Sequence, residues 1–154
     1  NFFVREQREL LTMEAGRINE LTTFYLDNRT PPVEKLYRRS IDDSARRING
    51  IIYIIDSSGN MVSSRNAERH FNNKLPDKET AESVLGGNTV VELGNMNGLF
   101  KSVYLTVGLP LEIEGKKVIQ RAFFTHIEYP KSLTYLTVKR KETLNISKTS
   151  STLR

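Results

Sequence analysis

Residues 2–28 carry apolar side chains at the spacing expected of an amphipathic helix. The recurring positions, three and four residues apart, are Leu10, Leu11, Ala15, Ile18, Leu21, Phe24 and Tyr25. Arginine and glutamate residues occupy the other face, as in a helix that covers a core. The pattern predicts one long helix that packs on the domain's own sheet. Its extra length indicates that part of it pairs with a second copy or continues from another element.

Two further helices have clear start and stop signals. Thr30 can cap a helix that begins at Pro31, because a proline at the first helical position loses no hydrogen bond. We expect this helix to end before Gly50, which can adopt the left-handed conformation. Later in the chain, Asp77 can cap a short helix that stops at Gly86-Gly87.

Five apolar segments bounded by turn residues predict a sheet. The first, residues 51–55, runs into Asp56 and Gly59, which suit a reversal into a short second strand. The other strand candidates are residues 89–93, 99–109 and 116–127. Their short connections predict antiparallel pairing. The fold class predicted from this order is α+β, with a long N-terminal helix and a second helix packed on a five-stranded antiparallel sheet.

The turn between the last two strand candidates predicts which side chains share a face. A two-residue turn at Glu114-Gly115 would place Tyr104 opposite Thr125. In that register Thr106 and Arg121 lie on the same face as this pair. The apolar residues at the intervening positions form the other face, which the long helix is expected to cover. An arginine is costly to bury without a partner, so we expect Arg121 to reach solvent or to meet an acidic group.

Composition and charge limit the class of protein. The chain has 154 residues, enough for one domain with a core, and 38% of them are hydrophobic. It has no cysteine, which excludes disulfides and thiolate metal sites, and no apolar run approaches the ~20 residues that span a bilayer. Most of the net charge of +5 lies in a basic, Ser/Thr/Lys-rich extension over residues 128–154. The body, residues 1–127, is close to neutral, which argues against a nucleic-acid-binding face.

Catalytic motifs are absent from the sequence. The two histidines, His70 and His126, stand in no metalloprotease or hydrolase context, and Gly86-Gly87 is not followed by the Lys-Ser/Thr of a phosphate loop. We therefore expect no enzymatic activity, cofactor or metal in this segment. On the apolar face of the predicted register, His126 is interpreted as a structural histidine with satisfied hydrogen bonds.

With this order of elements, the chain resembles the extracytoplasmic sensor domains of bacterial membrane histidine kinases, whose PAS-like fold is called PDC or single Cache. The resemblance covers residues 2–127. It is carried by the leading helix, the hairpin IIYIIDSSGNMVSS, a loop ending in VLGG, and the pair SVYLTVGLPLEIEGKKVIQRAFFTHI. Two features depart from the family. Gln120-Arg121 stands where small apolar residues are usual, and residues 128–154 lack a helical exit towards a second membrane segment.

The resemblance implies a PAS-like sheet and a location on the extracytoplasmic face of the bacterial cell membrane. It implies a homodimer formed through the N-terminal helix, and attachment to the membrane through flanking segments outside this chain. The function it implies is a sensor in a two-component system that detects a small molecule or an environmental signal and passes it through that helix. Alternatives are the sensor domain of another membrane receptor, such as a chemoreceptor or a cyclic-nucleotide signalling protein, and a ligand-free dimerisation module.

In this family a ligand, where one binds, lies between the sheet and the segment corresponding to residues 65–88. The candidate ligand-binding residues are Tyr104, Thr106, Arg121 and Thr125 from the sheet and Arg65 and His70 from the loop. Arg121 would hold a small anionic ligand, because its planar fork matches a carboxylate or a phosphate. The alternative is that these are ordinary sheet residues and that Arg121 forms an internal salt bridge.

Overall fold

A computed structural model describes residues 2–67, 77–112 and 119–130. Its elements are α1 (Phe2–Asp27), α2 (Pro31–Ile48), β1 (Gly50–Asp56), β2 (Met61–Ser63), α3 (Lys78–Leu85), β3 (Val90–Gly94), β4 (Tyr104–Glu112) and β5 (Ile119–Glu128). The strands form one sheet in the order β2-β1-β5-β4-β3, and each neighbouring pair is antiparallel. The predicted α+β fold class is confirmed.

The start of α2 follows the sequence signals, whereas its end differs in detail. The Thr30 side chain accepts a hydrogen bond from the Val33 N–H, and Pro31 takes the first helical position. The residue in the left-handed conformation at the end of α2 is Asn49, with φ of 53°, and not Gly50. Gly50 is needed for another reason, because a Cβ atom there would lie 2.7 Å from the backbone oxygen of His126 in β5.

The β1–β2 turn and the start of α3 also form through the hydrogen bonds that the sequence predicts. Asp56 accepts hydrogen bonds from the backbone N–H groups of Ser58 and Asn60, both at 2.9 Å, and Gly59 has a φ of +83°. These contacts close the β1–β2 hairpin. The Asp77 side chain caps α3 by accepting from the Thr80 N–H at 2.7 Å.

Each face of the sheet has its own core. α1 and α2 cover the face that holds the larger cluster, which consists of Leu11, Ala15, Ile18, Tyr37, Ile41, Ala45, Ile48, Ile52, Ile54, Leu105, Val107, Leu109, Leu111, Phe123 and Ile127. The opposite face holds a smaller cluster, which consists of Ile51, Tyr53, Ile55, Ala67, Val84, Phe100, Ala122 and Phe124. We call these the helix-pair face and the α3 face. The central strands β1 and β5 are buried on both faces, which explains the uninterrupted apolar run of residues 51–55 in β1.

The predicted register of the β4–β5 pair is wrong. Tyr104 lies opposite Glu128, and Thr125 lies opposite Val107. The pairing is irregular between Leu111 and Glu112, because Leu111 lies opposite Arg121 and Glu112 lies opposite Ile119. The predicted turn at Glu114-Gly115 lies outside the described residues. From Tyr104 to Leu111 the pairing is displaced by three residues from the prediction, and an odd displacement exchanges the two faces of one strand relative to the other.

The chain continues to pack on the domain after the end of β5. The Tyr129 N–H donates to the Val103 carbonyl at 2.9 Å, and the Tyr129 ring meets the Phe3 ring of α1 edge-on with centroids 5.1 Å apart. Residues 131–154, which hold most of the predicted basic extension, lie outside the described residues.

Candidate functional site

Arg121 connects the central strand β5 to helix α1. Its side chain lies on the helix-pair face, and only 6% of the residue is exposed. The Nη1 group donates to Asn19 Oδ1 at 2.9 Å, to Thr23 Oγ1 at 3.1 Å and, more weakly, to the Asn19 carbonyl at 3.4 Å. A buried cation in β5 is therefore held by polar groups of α1.

In the part of the chain that the structure describes, no ion pair neutralises the charge of Arg121. Burial lowers the pKa of Arg121, and this effect is partly offset by Tyr37, Asp56 and Asp27. The guanidinium stays protonated because the ordinary pKa of arginine is so high. Among residues 2–67, 77–112 and 119–130, no carboxylate forms a salt bridge with it. The internal salt bridge considered as an alternative is therefore not found in this part of the chain.

A cavity of about 270 Å³ lies beside Arg121, between α1, α2 and the β1–β2 hairpin. We call it the Arg121 cavity. It is lined by Thr22, Tyr25, Leu26, Arg29, Tyr37, Ile54, Asp56, Asn60, Val62 and Arg121. The lining combines apolar walls with two arginines and one aspartate, as expected of a small-molecule pocket with a few oriented polar groups.

Two stacked tyrosines form one side of the Arg121 cavity. The rings of Tyr25 and Tyr37 lie nearly parallel with centroids 4.8 Å apart. The Tyr37 hydroxyl lies 2.7 Å from Thr22 Oγ1, and Thr22 in turn donates to the Ile18 carbonyl. Because the single Thr22 proton goes to Ile18, the Tyr37 hydroxyl must donate to Thr22. Burial raises the pKa of Tyr37, so this hydroxyl stays neutral. Its proton is committed within the protein.

A second polar group is buried on the α3 face. The His126 ring bonds the Tyr53 hydroxyl through Nε2 at 2.8 Å and Thr106 Oγ1 through Nδ1 at 2.7 Å. All three residues are almost fully buried, and burial raises the pKa of Tyr53. Both ring nitrogens have partners, so the interpretation of His126 as a satisfied structural histidine is confirmed. Its predicted position on the face covered by the long helix is wrong.

The four candidate ligand-binding residues of the sheet do not meet at one site. Tyr104 and Thr106 belong to the α3 face, whereas Arg121 and Thr125 belong to the helix-pair face. The cause is the register error described above. A pocket formed by these four sheet residues together is therefore excluded.

The loop candidate Arg65 contacts α2 and is not among the described residues that line the Arg121 cavity. Arg65 is exposed and reaches Asp42 of α2, with Nε 3.5 Å from Oδ2 and the Arg65 N–H 2.9 Å from Oδ1. His70 lies outside the described residues. Thr125 is buried, and its Oγ1 is the single buried side-chain polar atom without a hydrogen-bond partner in the described ranges.

Sequence reasoning missed the α1 and α2 side of the cavity. Asn19 and Thr23 lie at ordinary helix positions, and nothing in their spacing marks them as partners of an arginine about a hundred residues later in the chain. Tyr37, which lines the cavity from α2, carries no such signal either. Tyr53 carried a usable signal. A tyrosine inside a run of isoleucines must find a buried partner for its hydroxyl, and a strand histidine is a natural one.

Comparisons with known proteins assign no family to this arrangement. No protein-family model matches the chain, and a search of curated proteins also gives no match. None of the helices in the described ranges combines the length and the apolar character needed to cross a bilayer. The same ranges contain no group of three histidine, aspartate or glutamate side chains suited to holding a metal ion.

Proposed function

We propose that this chain is the extracytoplasmic sensor domain of a bacterial membrane histidine kinase and that α1 carries its signal towards the membrane. The observation that carries the proposal is the set of hydrogen bonds from Arg121 to Asn19 and Thr23 beside an open cavity. The antiparallel sheet order and the leading helix agree with the PAS-like fold that the sequence resemblance implies.

The mechanism follows from how α1 is held. Leu11, Ala15 and Ile18 bury the inner side of the helix, and this apolar burial is not directional. The hydrogen bonds of Arg121 are directional and favour one position of α1. A ligand that binds in the cavity and changes these bonds shifts the population of helix positions. The size of the shift is set by the ligand's difference in affinity for the two states.

The outer side of α1 supports the proposed homodimer. Apart from Leu26, which lines the Arg121 cavity, four large apolar residues of this helix are exposed, namely Phe2 at 69%, Leu10 at 50%, Met13 at 75% and Phe24 at 56%. At 100° per residue they lie within one sector of the helix, on the side opposite the buried residues. We call them the outer stripe. Pairing with the same stripe of a second copy would remove it from water and align the two signalling helices.

The test is the autophosphorylation rate of the intact membrane protein in vesicles. Thr23→Val keeps the side-chain volume but removes one acceptor of Arg121, so we expect the basal rate to change by about fivefold or more. Thr12→Val is the matched control, because Thr12 is exposed on the same helix and bonds only the Arg8 carbonyl of its own preceding turn. Equal rates for both variants and wild type would reject α1 as the signalling element. An intact protein without autophosphorylation would reject the kinase assignment.

A further inference from the structure

We infer that the Arg121 cavity binds the carboxylate of a small monovalent organic acid, on the helix-pair face of the sheet. The inference deepens the sensor function proposed above and rests on it for its biological role. The site differs from the position between the sheet and residues 65–88 that the family resemblance implies. Three properties of the described residues lead to it, namely the unused donors of Arg121, the single acidic residue in the lining, and the apolar walls.

The donors of Arg121 are only partly used. All three of its hydrogen bonds leave from Nη1, and in the described ranges Nε and Nη2 donate to no protein atom. A guanidinium presents its five N–H groups in a planar fork that a carboxylate can accept in pairs. Because the residue is 94% removed from solvent, an anion that reached this fork would be attracted more strongly than at the surface. Arg29, the second arginine in the lining, adds positive charge.

Asp56 limits the charge of the ligand. Its carboxylate lines the same cavity and is held by the backbone N–H groups of Ser58 and Asn60 and by the Asn60 side-chain amide at 3.1 Å. The cavity therefore contains two positive side chains and one negative one. A single carboxylate balances this set, whereas a dianion would bring a second negative charge close to Asp56.

The remaining walls and the volume define the rest of the ligand. Leu26, Ile54 and Val62 are apolar, and the Tyr25 ring lies beside them. A cavity of about 270 Å³ corresponds to roughly nine waters at their share of liquid volume. These dimensions suit a short aliphatic chain attached to the carboxylate, with the chain against the apolar wall and the carboxylate against Arg121.

The primary experiment compares four probes with the purified chain by isothermal titration calorimetry and thermal unfolding. We expect saturable binding of butyrate, with a rise in the melting temperature of about 3 °C at ten times its dissociation constant. Butyramide has the same shape without the charge, and we expect it not to bind. Succinate and inorganic phosphate test the charge limit, and we expect them to bind at least about tenfold more weakly. Absence of butyrate binding, or equal binding of butyramide, would overturn the inference.

Two variants test the position of the site. Arg121→Gln removes the fork, and we expect butyrate affinity to fall by at least about tenfold, while Arg65→Gln changes an exposed arginine near Asp42 and leaves it unchanged. The far-UV circular dichroism and the melting transition of Arg121→Gln show whether the variant is folded. Unchanged butyrate affinity in folded Arg121→Gln would overturn the inference.

The outcomes separate this inference from the sensor proposal. If butyrate fails to bind while Thr23→Val still alters autophosphorylation, the carboxylate site is rejected and the signalling role of α1 stands. If butyrate binds at Arg121 but Thr23→Val leaves autophosphorylation unchanged, the site stands and transmission through α1 is rejected.

Discussion

The hydroxyl of Thr125 is the clearest energetic anomaly at the scale of single residues. It is fully buried in β5 and has no hydrogen-bond partner among the described residues, whereas Thr106 in β4 is equally buried but bonds His126 Nδ1 at 2.7 Å. Removing an unsatisfied buried hydroxyl relieves a desolvation cost, and removing a bonded one leaves its partner unsatisfied.

We therefore expect the same substitution to have opposite effects at these two positions. Thr125→Val should raise the free energy of unfolding by about 1 kcal/mol, and Thr106→Val should lower it by about 1–2 kcal/mol. Urea denaturation of both variants beside wild type measures the two changes. A loss of stability in Thr125→Val would mean that its hydroxyl has a partner.

Residue chemistry predicted the importance of Arg121 but not its surroundings. A cation between Gln120 and Ala122 in an apolar strand stands out in the sequence, and the cost of burying it demanded polar partners. Those partners belong to α1, which is distant in sequence. Which face Arg121 occupies relative to β4 depends on strand register, and the pairing shifts by one residue at the irregularity between Leu111 and Glu112. A two-residue turn followed by regular pairing was the simplest assumption, and the one-residue shift inverts the faces that this assumption predicts.

At the scale of secondary-structure elements, a polar network joins helices α1 and α2. Glu14 of α1 accepts hydrogen bonds from Ser44 and Arg47 of α2 and from Arg17 of its own helix. Arg17 also donates to Ser44. Burial alone would raise the pKa of Glu14, but its bonds to Arg47, Arg17 and Ser44 outweigh burial and lower it.

The lowered pKa of Glu14 predicts a stability that depends on pH. Because its carboxylate is favoured in the folded state, its contribution is present above the unfolded pKa of about 4.3 and is lost as the pH falls through the lower folded pKa. We expect Glu14→Gln to destabilise the chain by about 1 kcal/mol at pH 7 and by much less near pH 3. Urea denaturation across this range measures the difference, and Glu34→Gln, which removes the exposed pair with Arg38, is the control. If Glu14→Gln destabilised the chain equally at every pH, the lowered pKa of Glu14 in the folded state would be contradicted.

The starts of helices were predictable where a capping residue or a proline lies within the first turn. Thr30, Pro31 and Asp77 each satisfy or avoid a free N–H group at a helix start, and the structure uses all three in this way. The end of α2 shows the limit of such signals. Gly50 was expected to provide the left-handed residue, but it is required by the close approach of β5, a contact that helix-capping rules do not describe.

At the scale of the whole molecule, the order of elements predicted the fold class and the packing of a layer of helices on the sheet. It could do so because apolar periodicity of 3.6 or 2 residues reports directly on which face is buried. The Arg121 cavity could not be predicted in the same way. It lies where α1, α2 and the β1–β2 hairpin meet, and its position depends on how these elements dock, which no local pattern specifies.

The outer stripe of α1 gives the last prediction, which concerns assembly. Met13 is 75% exposed at its centre, although α1 buries apolar residues efficiently on its inner side. If two copies pair through this stripe, a glutamate at its centre would bury a charge against apolar side chains. We expect sedimentation equilibrium to show a dimer for wild type and at least about tenfold weaker association for Met13→Glu.

The matched control is Met61→Glu, which adds the same charge to an exposed methionine on the edge strand β2. Because β2 lies at the edge of the sheet and away from the outer stripe, this variant should associate like wild type. A monomeric wild type at all concentrations, or equal weakening by both variants, would show that the stripe is not the dimer contact. Signalling through α1 would then have to proceed within one copy, by movement of the helix relative to Arg121 alone.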